Sequence, residues 1–410
     1  YTGRKCEIFV VIYILHIIRF YYFLPYTFLH NILNAIDILY AFFFAFCFIK
    51  YKSRTTITKL EVATAILYVV FLLSVFIGIK NGQQIDRVLK YTSMVFLQFG
   101  FYYYLRLHNV STEFLLKLLK HLLIGYVVIT VLCYLQYPNC WFGGDDEQSL
   151  ARMKSSLEDR GLIRFTLPCK MLVFLFMEIQ NLGLWVNNKM KIFILFILLL
   201  FIGNRFPLVI SLLVIGYMIA VSNNIKFFRK IQTGVVVAAV IAMLSFVSVT
   251  RNIIDSLIQT TVNERDAGDE NNIRVLAATY FFLEFNGDKL EPKIIGNGIA
   301  SNGDDMYSKE MKYLNEEVGF WESDVGYCEI YIYFGIVGLL GLFFWCYGVY
   351  DIKIEESYKY IKNYFLFLMV SMICGGYWFE NIYVVNILTY TLVKSNENLM
   401  NKYLCVKLQS

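Results

Sequence analysis

Two arginines and two carboxylates stand where polar sequence meets apolar runs, and their types suit gripping an anion and moving a proton. Arg205 lies in Phe201-Ile-Gly-Asn-Arg-Phe-Pro-Leu-Val-Ile210, a cation at the mouth of two apolar segments. Such a guanidinium is costly to desolvate unless paired. It reads either as a snorkelling interfacial arginine or as an anion-binding group at a rigid turn, since its planar fork grips phosphate bidentately and keeps its charge. Arg274 opens a helically spaced amphipathic stretch that runs to Glu284. There a helix dipole would add positive potential beside the guanidinium; a plainly solvated charge is the alternative. Ile294-Ile-Gly-Asn-Gly-Ile-Ala-Ser-Asn-Gly303 holds Gly296 and Gly298, which permit a tight turn and close backbone approach to a ligand. A flexible connector would look the same, and the spacing matches no dinucleotide or phosphate-loop fingerprint.

Glu322, Asp324 and Tyr327 close this region, where the chain returns to apolar sequence. A carboxylate there could act as a general base on a hydroxyl or orient an arginine, or simply cap a helix N-terminus. Tyr327 and Trp321 suit stacking on a sugar ring or membership of an interfacial aromatic belt. Upstream, Arg160 and Arg164, with Arg152 nearby, offer guanidiniums to a glycan or diphosphate, or are loop charge. Histidine occurs only at positions 16, 30, 108 and 121, so this set includes no imidazole base. The nine cysteines show no CxxC or Cys/His metal spacing, and several (Cys47, Cys133, Cys346) sit in apolar runs as packing material. No metal site and no cofactor is expected.

The elements that must position these residues are apolar spans. Of 410 residues, 58% are hydrophobic and 17% charged, against roughly 45–50% and about 25% in soluble proteins, which predicts an all-α polytopic membrane protein. At about 20 residues per crossing, apolar windows fall at 7–24, 31–49, 60–79, 89–105, 113–137, 163–185, 191–203, 206–222, 231–250, 327–349, 360–375 and 378–393. Arg19 and Asp37 both fall in the outer third of their spans, which predicts a mutual ion pair. The remaining long polar stretch, residues 251–326, holds 7 Lys/Arg against 15 Asp/Glu, about −8 in a chain of +5. Basic residues collect in alternate loops, among them Lys50, Lys52, Arg54, Lys226, Arg229 and Lys230. Because basic loops stay cytoplasmic, both termini are expected inside and the acidic insert outside, between spans nine and ten. The whole chain, 1–410, reads as one polytopic domain with 251–326 as its large outer loop. It opens at Tyr1 with no initiator Met and no cleavable signal pattern, which predicts a short missing N-terminal piece.

On the outer face no nucleotide is available as an energy source, so a reaction there needs a pre-activated substrate. The Gly-Asn-Arg205-Phe turn, the Arg160-Gly to Pro168 stretch, Arg274 opening a loop helix, Ile-Ile-Gly296-Asn-Gly298, and Asp324-Val-Gly-Tyr followed by Phe-Gly335-Ile-Val-Gly338 resemble, in order and placement, the O-antigen polymerase (Wzy) and ligase superfamily of bacterial envelope glycan assembly. The resemblance covers roughly residues 150–340. It implies a GT-C-like helical fold in the bacterial inner membrane and metal-independent glycosyl transfer at the periplasmic face. A growing glycan would pass from undecaprenyl diphosphate to the non-reducing end of a lipid-linked repeat unit. Carried over, Arg205 and Arg274 become diphosphate or glycan contacts and Asp324 the base. Arg160, Arg164, Gly296, Gly298, Glu322 and Tyr327 line the substrate. The implied partners are the undecaprenyl-diphosphate-linked oligosaccharide and the lipid bilayer, with a chain-length regulator as a further candidate; nucleic acid is not among them. The ligase branch typically places a His in the large loop, and this loop has none. Ligase and lipid-linked oligosaccharide flippase or transporter remain the alternatives.

Overall fold

The structure is a computed structural model, and it describes residues 2–18, 20, 26–51, 58–136, 273–300, 303–375 and 381–409. Among these the chain is helical, with twelve α-helices and no strand. They are α1 (Thr2–Ile17), α2 (Tyr26–Lys50), α3 (Lys59–Lys80), α4 (Ile85–Phe96), α5 (Phe101–His108), α6 (Thr112–Gln136), α7 (Ile273–Thr279), α8 (Leu290–Ile295), α9 (Met306–Tyr313), α10 (Gly326–Tyr350), α11 (Lys359–Ser371) and α12 (Ile382–Gln409). The chain divides into two compact units, and the unit described below comprises Tyr1–Ile17, Thr27–Lys117 and Asp269–Ser410. The expected spans between 163 and 250 lie outside the described residues.

Among the described residues two helices, α3 and α10, are long and apolar enough, by length and composition, to cross a membrane. In α3 the start is fixed by a capping box. Glu61 N donates to Thr58 Oγ1 at 3.2 Å and Thr58 N donates to Glu61 Oε2 at 2.6 Å. Its end comes at Lys80-Asn81-Gly82, where Gly82 takes a φ of 83°. The two faces of α3 are distinct. Thr64 and Ser74 are buried beside Leu67, Val70 and Phe71, whereas Val69, Leu72, Phe76 and Ile79 are exposed. Polar groups inward and large apolar groups outward is the reverse of a water-facing helix and suits a hydrocarbon surround. The inner face packs on α10.

The expected span 89–105 is a broken helix. α4 gives way to a 3-10 turn at Leu97–Gly100 before α5 begins. At this break Asn386 of α12 inserts its amide: Nδ2 donates to Gln98 O at 3.2 Å and Oδ1 accepts from Tyr102 N at 3.3 Å. A side chain from elsewhere thus bridges the two backbone groups that an unbroken turn would pair with each other. α12 is also tied to this segment by Tyr390 Oη donating to Val110 O at 2.6 Å and by Arg106 paired with Glu397 at 2.6 Å.

His16, near the end of α1, meets Asp37, midway along α2, with Nε2 and Oδ1 2.7 Å apart and both residues buried. Arg19, its expected partner, lies outside the described residues. The pair sits over an aromatic cluster in which Tyr13, Tyr40, Phe44 and Phe101 pack with ring centroids 4.6–6.0 Å apart. Losing one partner of a buried hydrogen bond costs about 1–3 kcal/mol, whereas apolar replacement of both partners can be nearly neutral. Asp37→Leu should therefore lower the thermal unfolding midpoint in detergent, and His16→Leu/Asp37→Leu together should recover most of the loss. A double variant as unstable as Asp37→Leu alone would show that the pair is not the source of the effect.

Candidate functional site

The loop that returns to α10 is ordered around a turn rather than spread over the surface. α8 ends at Gly296, and the backbone there turns sharply, with φ of 80° at Gly296 and 78° at Gly298. The facing partner is α10, which is not one continuous helix: Gly335 has φ 64° and ψ −168° and breaks it. The turn pairs with the strip of α10 just before the break. Asn297 N donates to Ile332 O at 2.8 Å and Gly298 N donates to Tyr333 O at 3.0 Å. Asn297 Nδ2 adds a bond to Ile332 O at 3.2 Å and another to Asn286 Oδ1 at 2.9 Å. Asn81, just beyond α3, donates to Asn297 O at 3.0 Å.

The two glycines at this contact have no room for a side chain. A Cβ on Gly296 would stand 2.3 Å from Tyr333 O, and one on Gly335 would stand 2.2 Å from Ile294 O. Gly296 makes its close approach to α10 and Gly298 to α3 at Ser74 and Gly78, and the Asn297 and Gly298 N–H groups are taken by carbonyls of α10.

Beside this joint lies the turn Glu322–Asp324, a single 3-10 turn leading into α10. Its two carboxylates differ in environment. Glu322 is buried and accepts a hydrogen bond from the Tyr333 hydroxyl. With its amide turned to donate, Asn315 reaches Glu322 Oε2 at 3.0 Å and Phe320 O at 2.6 Å. Asp324, two positions on, is half exposed, and its Oδ2 lies 4.0 Å from Arg274 Nε. Arg274 stands in the first turn of α7 with its side chain also half exposed. Between exposed partners such a separation adds little stability, but it places a guanidinium and a carboxylate side by side at the surface.

Tyr307 Oη donates to Gly298 O at 2.9 Å from a buried position. Burial first, then the charge of Glu322, holds its phenol well above the ordinary tyrosine range, so it remains a donor. Tyr327 turns away from the loop: its hydroxyl donates to Met369 O on α11 at 2.8 Å and its ring stacks on Phe343 at 5.7 Å.

Of the residues singled out from sequence, then, Arg274, Glu322 and Asp324 come together on one side of the loop, and Gly296 and Gly298 form the joint with α10. Tyr327 anchors α10 to α11. Arg160, Arg164 and Arg205 lie outside the described residues. Sequence reasoning missed Asn297, Asn286, Tyr307 and Tyr333. The signal was an asparagine between two glycines facing, far along the chain, a glycine within an otherwise helical run. Among the described residues no group of three or more His, Cys, Asp or Glu could hold a metal ion. Compared with protein-family models, curated proteins and solved structures, the chain has no match in any of the three.

The joint makes a sharp prediction about glycine. Gly296→Ala and Gly335→Ala each force backbone apart and should lower yield and thermal midpoint severely. Gly125→Ala, on α6 with nothing within 4 Å of an added Cβ, should be neutral or slightly stabilising. Equal behaviour of all three in a detergent melting assay would disprove the tight contact.

Proposed function

We propose that the chain is an integral membrane polysaccharide polymerase, a metal-independent glycosyltransferase that extends a lipid-linked glycan on the outer face of the bacterial inner membrane. The observation that carries this reading is the Arg274–Asp324 pair at 4.0 Å, set where the loop re-enters a helix long and apolar enough to cross a membrane. The proposal includes about twelve spans, a GT-C-like arrangement, cytoplasmic termini and an undecaprenyl-diphosphate-linked oligosaccharide as substrate.

In the proposed reaction a hydroxyl of the incoming repeat unit attacks the anomeric carbon of the growing glycan. The new glycosidic C–O bond forms as the bond to the carrier diphosphate breaks, and the electron pair leaves with the diphosphate. Asp324 takes the hydroxyl proton. Arg274, together with Arg205, meets the charge that develops on the departing diphosphate, a term that typically dominates in such transfers. An arginine cannot lose its charge and offers a planar fork to two phosphate oxygens at once. Arg160 and Arg164 are assigned to the glycan or diphosphate on the same face. Glu322, buried under Tyr333 and Asn315, holds the turn that presents Asp324. A chain-length regulator is a candidate partner.

The buried His16–Asp37 pair favours one second reading, proton-coupled transport of a lipid-linked oligosaccharide, because ionisable residues inside spans often mark proton paths. Deletion in the native host separates these. A polymerase predicts surface glycan bearing a single repeat unit; a ligase predicts polymer accumulating on the lipid carrier; a transporter predicts repeat units held in the cytoplasmic leaflet. At unchanged protein level, Arg274→Ala and Asp324→Ala should each cut polymer formation by about 10²-fold or more, with Arg274→Lys recovering part of the loss. Normal polymer in both alanine variants would reject the site.

A further inference from the structure

We infer that α8 and the glycine turn after it are sunk into the membrane boundary as a re-entrant wedge, with Leu290 and Ile294 facing lipid acyl chains. The inference rests on the membrane reading proposed above and concerns a surface that the proposed chemistry does not use.

Depth is the first argument. The turn meets α10 at Ile332 and Tyr333, next to the break at Gly335, where the chain bends back far enough to bring the Tyr327 and Phe343 rings within 5.7 Å. On the opposite side a Cβ at Gly298 would come within 3.2 Å of Ser74 O and 3.3 Å of Gly78 N. Those positions lie about 3–9 Å inside the Lys80 end of α3. The segment is thus wedged between the bend of α10 and the candidate span α3, below the Lys80 end of the latter.

Backbone satisfaction is the second. Irregular backbone at membrane depth is tolerated only where its polar groups are met by protein. Here the Asn297 and Gly298 N–H groups are met by carbonyls of α10, and Asn297 O and Gly298 O by Asn81 and Tyr307.

Surface continuity is the third. Leu290 is 72% exposed and Ile294 46% exposed, alongside exposed Phe76 and Ile79 of α3 and exposed Ile336 and Leu340 of α10. Ile294 touches the backbone at Gly335, one residue before Ile336. The wedge therefore extends the outward apolar surface of the two helices instead of interrupting it. Lys80 and Glu291, paired at 2.7 Å and half exposed, set charged heads at its rim, as expected of long side chains at a headgroup boundary.

The test uses the whole protein reconstituted in phosphatidylcholine vesicles that carry a diazirine-bearing phospholipid, with hydroxyl-radical footprinting from the aqueous side in parallel. Lipid adducts on Leu290 and Ile294 should reach at least half the yield on Leu72 and Phe76 of α3. Met306, 88% exposed on the same loop, should be oxidised by water radicals and carry no lipid adduct. Three outcomes overturn the inference. If Leu72 and Phe76 are labelled while Leu290 and Ile294 are oxidised like Met306, the wedge is in water and the membrane reading survives. If Leu290 and Ile294 escape both reagents, a protein surface covers them. If Leu72 and Phe76 also go unlabelled, the membrane reading itself falls.

Discussion

Hydrogen bonds owed by interrupted helices organise this molecule. Where a helix breaks, its carbonyl and N–H groups lose their neighbours along the chain, and in an apolar surround each unmet group costs several kcal/mol. α10 breaks at Gly335, and the carbonyls before the break are met by Asn297 and Gly298 from the long loop. The helical run from α4 to α5 breaks at Leu97–Gly100, and Asn386 meets the groups there. Both repairs come from far along the chain, so each break also dictates which distant elements must meet. Helix pairing here is specified by polar backbone, with apolar packing filling the space around it.

That rule shapes the loop. An acidic stretch of this length could scatter in water, yet its described part is drawn onto α3 and α10 by two asparagines, Asn81 and Asn297, and by the Tyr333 hydroxyl, while the Tyr307 hydroxyl ties the loop to itself. The two carboxylates of the turn before α10 then divide their work by exposure. Glu322 is spent on structure, with a phenol and an amide as donors. Asp324 stays in water beside Arg274. A carboxylate with a buried neighbour two residues away is placed more firmly than one on a free loop, because the turn cannot swing without exposing Glu322.

Much of the helical layout was legible from apolar run length. The window 60–79 became α3, Lys59–Lys80, and 327–349 became α10, Gly326–Tyr350. Composition reports where apolar residues are and is blind to breaks among them, which is why 89–105 read as one span although it contains the turn at Leu97–Gly100. Arg274, Glu322 and Asp324 were each legible as candidates because charge at an apolar boundary is costly and therefore informative, but their meeting was not. The meaning of Gly296 and Gly298 was not. A glycine permits a turn toward any neighbour, and the neighbour, Gly335 and its freed carbonyls, is not marked by local spacing. Asp37 was legible as a charge within the spans needing a partner; that His16 stands against it was not, because a lone histidine in an apolar run carries no spacing signal.

Asn386 also carries a consequence for how the protein is made. It lies 288 residues after the Gln98 carbonyl that it satisfies. A chain emerging from the ribosome presents the break between α4 and α5 long before α12 exists, so for most of synthesis those groups must borrow water or a temporary partner. The first helices cannot settle into final form until the last one arrives. A nascent chain cut short before Asn386 keeps the Gln98 carbonyl and the Tyr102 N–H without the side chain that joins them in the finished molecule.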